Sequence, residues 1–441
     1  MRTIIEQIRA LTTEPGFIYT LALVLLRDLF MTPEDIADIN PREHLNFQEI
    51  TFLTGLLLKE KINLSIPTEE ESAGRFEEVY RLFLELHKSY HTTFLEELGD
   101  LAQRGRTSQT PEQSYKKIFG AGDMVAETIF YGGSGAYDFQ YLEFAAQKYR
   151  HDAAWIWSHV GVGVSKMGEI ARELKTLHER KFNNFIGSKL AGFRELCKLG
   201  LEVFCFDGGD LQKFGDAVEP FLNAFSLAPG EVNAHLEFPG QYNELQSKPI
   251  IRLEGGQYFL PIAFIISEAI YETPFYWMNV DEAYAETALL NRGRFAENVT
   301  AELMMRVFGP QNVYRDVEVR EKKGHVVTDI DVLAIVGNKA IVCQVKSKRL
   351  TELARRGDQA KLLADFKSAI QDAYHQGLQC RKALLDKKNK LFINGQEIHL
   401  DESIDDAYLM CVTVDHCGRG KCTTCQFQAT RSLAAWMRRC R

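Results

Sequence analysis

VVTDIDVLAIVGNKAIVCQVKSK, residues 326–348, is two apolar runs joined by Gly337-Asn338, with acids on the first run and Gln344 and Lys346 on the second. Glycine followed by asparagine between alternating runs predicts a two-residue hairpin, with glycine in the first position as a type II′ turn requires. With these two residues as the loop, Val336 pairs with Lys339. Asp331 then falls opposite Gln344, and Asp329 opposite Lys346. Side chains alternate along a strand, so Asp329, Asp331, Gln344 and Lys346 are expected on one face. Ile330, Val332, Cys343 and Val345 are expected on the other. Carboxylates, an amide and an ammonium that converge between apolar strands suit a divalent cation with a lysine beside it.

The flanking sequence predicts a compact α/β arrangement around this hairpin. Residues 292–308 read as a helix with Phe295, Val299, Leu303 and Val307 as its apolar row, and Glu297 at about 100° from that row, near its edge. Residues 313–319 read as a strand. Residues 358–376 read as an amphipathic helix carrying Lys361, Lys367 and Gln371, and AYLMCVTV (407–414) as a buried strand. The order is helix, three strands, helix, strand.

Charge is unevenly spread. The chain carries −8 overall, yet residues 339–390 hold 13 Lys and Arg against five Asp and Glu, a local +8 that leaves −16 for the rest. A basic stripe within an acidic chain is a footprint for phosphate confined to one face. A solvated helical surface has the same composition.

The order of elements, with these residues, resembles the PD-(D/E)xK nuclease superfamily, the fold of restriction endonucleases. It is most similar to the Mrr-like and NERD-like branches, in which glutamine replaces the usual glutamate. Gln344-Val345-Lys346 corresponds to the Q-x-K, Asp331 to the preceding acid and Glu297 to the acid of the first helix. The helix with Lys361 and Gln371 corresponds to the place of auxiliary polar residues, to which Lys348 and Asp329 are added. The resemblance covers the last third of the chain. It implies an endonuclease, a hydrolase of phosphodiester bonds that uses Mg²⁺ or Mn²⁺, acts on DNA in preference to RNA, and works in restriction or antiviral (phage) defence.

The resemblance further implies that Asp331, Gln344, the Val345 carbonyl and Glu297 hold the metal, with Lys346 completing the catalytic set. Mg²⁺ favours oxygen donors, and Lys346 would orient or deprotonate water and stabilise developing charge. Asp329 is either a salt-bridge partner of Lys346 or a second-metal ligand. Glutamine in place of glutamate removes one negative charge, so Gln344→Glu is expected to keep cleavage and tighten metal dependence.

The expected fold class is α+β multidomain. Residues 1–245 form a mostly helical sensor or regulatory region. Residues 246–287 form a β-hairpin bridging module around Gly255-Gly256, residues 288–414 a restriction-endonuclease-like domain with a mixed sheet flanked by helices, and residues 415–441 a Cys/Arg-rich tail. In the first region, Thr32-Pro33-Glu34-Asp35 marks a helix start, and residues 46–59, 72–98 and 165–182 have helical periodicity. FYGGSGAYDFQYLEF (130–144) lacks the lysine of a nucleotide loop and reads as an aromatic-rich connection. His151, Trp155, Trp157 and His159 read as core packing rather than a ligand pocket.

Nine unevenly spaced cysteines without an export signal point to reduced thiols in the cytoplasm. The apolar run 17–26 is too short to span a bilayer, so no membrane partner is expected. Cys422-Thr-Thr-Cys425, with Cys417 and Cys440, offers one irregular set for structural Zn²⁺; free thiols in a basic tail are the other reading. A regulatory protein or a second copy of the chain is a further expected partner. Two alternatives to catalysis stay open. Acids facing lysine across two strands also describe an exposed sheet face with cross-strand charge pairs. An inactive module of the same fold could bind nucleic acid or a protein.

Overall fold

The computed structural model describes residues 1–30, 43–103, 130–131, 136–230, 232–347, 351–355, 358–400 and 402–413, with the backbone alone for 91–103, 352, 355 and 359. Thr32-Pro33-Glu34-Asp35, the glycines of 132–135, Lys348 and the four tail cysteines Cys417, Cys422, Cys425 and Cys440 lie outside the described residues. The protein is of mixed α/β type and divides into two compact units, Met1–Asp281 and Glu282–Arg441. Among the described residues no helix is long and apolar enough to cross a membrane.

The first unit is mostly helical. Its helices are α1 (Arg2–Thr12), α2 (Phe17–Leu29), α3 (Phe47–Leu57), α4 (Glu69–Gln103), α5 (Asp138–Lys148), α6 (Ala153–Val160), α7 (Val164–Ile186), α8 (Phe193–Glu202), α9 (Val218–Phe225) and α10 (Ala263–Val280). The apolar run expected to end at Arg27-Asp28 continues through them, because Asp28 is sealed inside. Its carboxylate accepts from the Leu45 amide (2.9 Å) and the Tyr80 hydroxyl (2.8 Å) and faces His44 Nδ1 at 2.9 Å. Helix α3 starts on a reciprocal cap, Asn46 Oδ1 accepting from Glu49 N and Glu49 Oε2 from Asn46 N.

The expected hairpin around Gly255 and Gly256 (φ +74° and +79°) is present as β3 (Ile250–Arg252) and β4 (Tyr258–Phe259). It does not stand apart. With β1 (Cys205–Phe206) and β2 (Ser226–Leu227) it makes a mixed sheet of order β1-β4-β3-β2 inside the first unit. The aromatic stretch that follows is helix α10 of that unit. The cluster His151, Trp155, Trp157 and His159 is not core: Trp157 is 64% exposed, and Trp155 stacks on the exposed His159 at 4.1 Å while donating to Asp281 at 2.7 Å. Trp155, Trp157 and His159 lie on a short helix that buries Ile156 instead.

The second unit is a mixed six-stranded sheet with helices on both faces. Helix α11 (Ala285–Phe308) precedes β5 (Val313–Arg320), β6 (Val326–Val336) and β7 (Lys339–Lys346). The single turn α12 (Glu352–Arg355) follows, and then a run made of α13 (Gln359–Phe366), a π-helical segment (Lys367–Gln371) and α14 (Asp372–Leu385). Strands β8 (Lys390–Ile393), β9 (Gln396–Ile398) and β10 (Asp406–Thr413) complete it in the order β10-β7-β6-β5-β8-β9, with only the β10–β7 pair parallel. The expected start of this domain at 288 falls within α11, which belongs to the second unit from its first turn.

Helix α11 packs Ala301 and Met304 on Val313, Val332, Ala334, Ile341 and Cys343. Its buried residues are Ala288, Asn291, Arg292, Phe295, Ala296, Thr300, Ala301 and Met304; of the expected row Phe295 is among them, whereas Leu303 and Val307 are 51% and 66% exposed. Small residues win this face because they let the helix approach the sheet closely. On the opposite side α14 packs Cys380, Ala383 and Leu384 on Val317, Val319, Ile330, Leu333, Ile335 and Val342. Gly377 helps here, since a Cβ would already touch Leu409 at 3.4 Å and Gln344 at 3.9 Å.

Candidate functional site

The hairpin turns as its sequence requires, with Gly337 at φ +57° and Val336 paired with Lys339. The pairing continues to Val332↔Cys343 and stops there. Asp331 and Gln344, the next pair in that register, are not backbone partners. Instead the Val345 N–H donates to Asp331 Oδ2 at 2.7 Å. A side chain takes the place of a ladder bond, and the two strands part at this point.

The neighbouring ladder breaks at the same height. Arg315 pairs with Val332 and Val317 with Ile330, while Asp316 and Asp331 between them are unpaired, and Asp316 has φ +52°. A left-handed non-glycine residue is uncommon, and Asp tolerates it better than most. The consequence is a switch of faces. Val313, Val332 and Ala334 point to α11, whereas Val317 and Ile330 point to α14. The expected apolar face of Ile330, Val332, Cys343 and Val345 is thus divided. Thr328 and Ile330 both reach α14, so Asp329 between them is turned away from Gln344 and is exposed. The expectation that Asp329 shares a face with Lys346 and pairs with it is corrected: Lys346 Nζ donates to Gln376 Oε1 at 3.0 Å.

Gln344 is the most enclosed member of the group, 1% exposed. It points toward α14, where its Nε2 donates to the Asp329 carbonyl (3.2 Å) and to Cys380 Sγ (3.3 Å). Its Oε1 is buried and has no hydrogen-bond partner. Leaving such an acceptor unsatisfied costs about 1–3 kcal/mol, which a cation at that oxygen would offset. Asp331 is half-buried. Burial pushes its carboxyl above the ordinary value, the Val345 amide and Lys346 pull it back, and Asp329 and Asp316 push it up again. Glu297 stands half-buried on α11, on the other face of the sheet from α14, within electrostatic reach of Asp331. Burial also raises its carboxyl, as do Asp331 and Asp316, while Arg315 and Arg294 oppose them. Two carboxyls held above their usual range by burial and by neighbouring carboxylates form an electrostatic setting that a divalent cation relieves.

The donor set therefore fits such an ion: two carboxylates, and one buried amide oxygen lacking a donor. Val345 lies beside Asp331 through its N–H. Among the described residues no three His, Cys, Asp or Glu side chains are grouped closely enough to hold a metal by themselves.

Lys361 and Gln371 are exposed, and the Lys361 amide is spent on the Asp358 cap of α13 (2.9 Å). The helix contributes Gln376 and Cys380 instead. Both lie on the face marked by Ala373, Gly377 and Cys380, a spacing of three and four that the sequence displays. Of the basic residues, Arg381 and Lys390 are paired with Asp406 and Glu397, while Lys361, Lys367, Lys382, Lys387 and Lys388 are exposed.

Comparison with protein-family models, curated proteins and solved structures finds no match for this chain.

Proposed function

We propose that the second unit is a metal-dependent endonuclease that hydrolyses phosphodiester bonds of DNA, and that the helical first unit senses a trigger or restrains it in a restriction or phage-defence setting. The observation that carries this reading is the orphaned Gln344 Oε1, buried two residues before Lys346 on the strand whose Val345 N–H is accepted by Asp331. Mg²⁺ or Mn²⁺, held by Asp331, Gln344 Oε1, the Val345 carbonyl and Glu297, supplies Lewis acidity and a lowered pKa for bound water. Lys346, half-buried and fixed by Gln376, orients the attacking water and stabilises the negative charge that gathers on the phosphoryl oxygens. Asp331 keeps the strands apart at the site by accepting the Val345 N–H. The exposed lysines after the hairpin supply phosphate contacts along the backbone of the substrate.

The rival reading is a non-catalytic module on the same scaffold that binds nucleic acid or a protein. It is favoured by one feature: Lys346 and Asp331 each already have a partner within the protein. Incubation of the full chain with supercoiled plasmid and with RNA, under Mg²⁺, Mn²⁺ or EDTA, separates the two. Metal-dependent cutting that Lys346→Ala reduces at least about a hundredfold supports the nuclease. Binding without cutting, unchanged by that substitution, overturns it. Cutting of RNA alone replaces DNA as the substrate.

A further inference from the structure

A side-chain amide can be turned either way, and only its surroundings decide which end faces a ligand. At Gln344 the decision is made by the groups that wall in its Nε2. The Asp329 carbonyl can only accept, and it lies 3.2 Å from Nε2. Turning the amide over would set Oε1 against that oxygen, acceptor on acceptor. The second wall group is the Cys380 thiol. Its S–H donates to the same carbonyl at 3.2 Å, its sulfur accepts from Gln344 Nε2 at 3.3 Å, and the Thr328 hydroxyl lies 3.2 Å behind it. Cys380 and Thr328 come from different elements, α14 and β6, and close on the amide from both.

We propose that Cys380, backed by Thr328, is a positioning residue that selects an amide over a carboxylate at position 344 and fixes Oε1 as the atom presented to the cation. This rests on the metal reading above and adds a reason for glutamine in Q-x-K: the wall demands a donor. A glutamate there would place a carboxylate oxygen against the Asp329 carbonyl in a fully buried spot. Gln344→Glu is therefore expected to hold a cation less well, the reverse of what counting charges suggests.

The test is Mn²⁺ binding to the full chain, followed by calorimetric titration and by the spin-resonance signal of free Mn²⁺, with thermal midpoints recorded beside it. Cys380→Ser keeps a donor and an acceptor and should bind Mn²⁺ like wild type. Cys380→Ala should weaken binding about tenfold, as loss of an outer hydrogen bond to a metal ligand commonly does. Thr328→Val, nearly isosteric, should weaken binding in the same direction by less, and decides the matter if Cys380→Ala does not fold. A purely structural role would lower the midpoints of the serine and alanine variants and leave Mn²⁺ affinity alone. Wild-type affinity in both Cys380→Ala and Thr328→Val, or tighter binding by Gln344→Glu at an unchanged midpoint, overturns the inference. Failure of the wild-type chain to bind Mn²⁺ overturns the metal reading itself and this inference with it.

Discussion

The Val345 amide hydrogen bonds to the Asp331 carboxylate at 2.7 Å, so one strand of the hairpin is held by the side chain of the other. Asp331 thus has two duties, one structural and one chemical, and substitutions can separate them. Asp331→Asn keeps an oxygen for the amide and removes the charge. It should leave the urea midpoint nearly unchanged and lower cleavage by more than about a hundredfold. Asp331→Ala also leaves a buried N–H unpaired, and should cost a further 1–3 kcal/mol, roughly, in unfolding free energy.

Metal affinity should begin to fall at a higher pH than ordinary carboxylates would dictate. Asp331 and Glu297 both have raised pKa values, so each retains its proton at a higher pH than a free acid does. A protonated carboxyl is a poor ligand. Affinity is therefore full well above that range and is lost as pH falls through it, beginning above the usual carboxylate value of about 4. Titration with Mn²⁺ at pH 7.5 and 5.5 should show the loss, and Asp331→Asn should reduce its slope.

Gln376 should matter to turnover and not to folding. Its Oε1 accepts from Lys346 in a half-buried position. Gln376→Leu removes that anchor while keeping the bulk. Cleavage should fall about tenfold with stability within about 0.5 kcal/mol of wild type, measured by plasmid nicking and by urea denaturation.

In the first unit, His178 is buried against Phe204 with Nε2 unpartnered, and burial pushes its pKa down to about 3. The unfolded chain protonates this ring near 6.5, while the folded protein does not. Stability is therefore intact above that pH and declines as pH falls through 6.5 toward 3. From pH 7.5 to 5 the loss should be about 2 kcal/mol. His178→Leu should abolish that part of the decline, as read from urea midpoints at the two pH values.

The hairpin was legible because its turn is local. Gly337-Asn338 sets the bend, and the pairing down to Val332↔Cys343 follows from counting. The same dipeptide logic applies to Asn394-Gly395, which joins β8 to β9 with both φ angles positive (+51° and +79°), two strands beyond those expected from the sequence. The face switch was not legible. It depends on Asp316 adopting a left-handed conformation that other residues adopt more rarely still, and nothing in VYRDVEVR announces it. Gln376 and Cys380 lie 30 and 36 residues from their partners Lys346 and Gln344. Local spacing puts both on the packed side of α14 but cannot say which strand residue they meet. The inward row of α11 was misread because Val299, Leu303 and Val307 also recur at four-residue intervals, and periodicity alone does not tell which of two stripes is covered.

The wide turn at Lys367–Gln371 accommodates one residue more than a regular α-helix would. Adding or removing one residue in the regular turn between that segment and Gln376, where nothing absorbs the change, would rotate everything after it by about 100°. Gln376 would swing off the lysine and Cys380 off the glutamine together. The spacing between this irregular turn and the strands is thus a ruler: substitutions along the helix surface leave it intact, and a change in length by one does not.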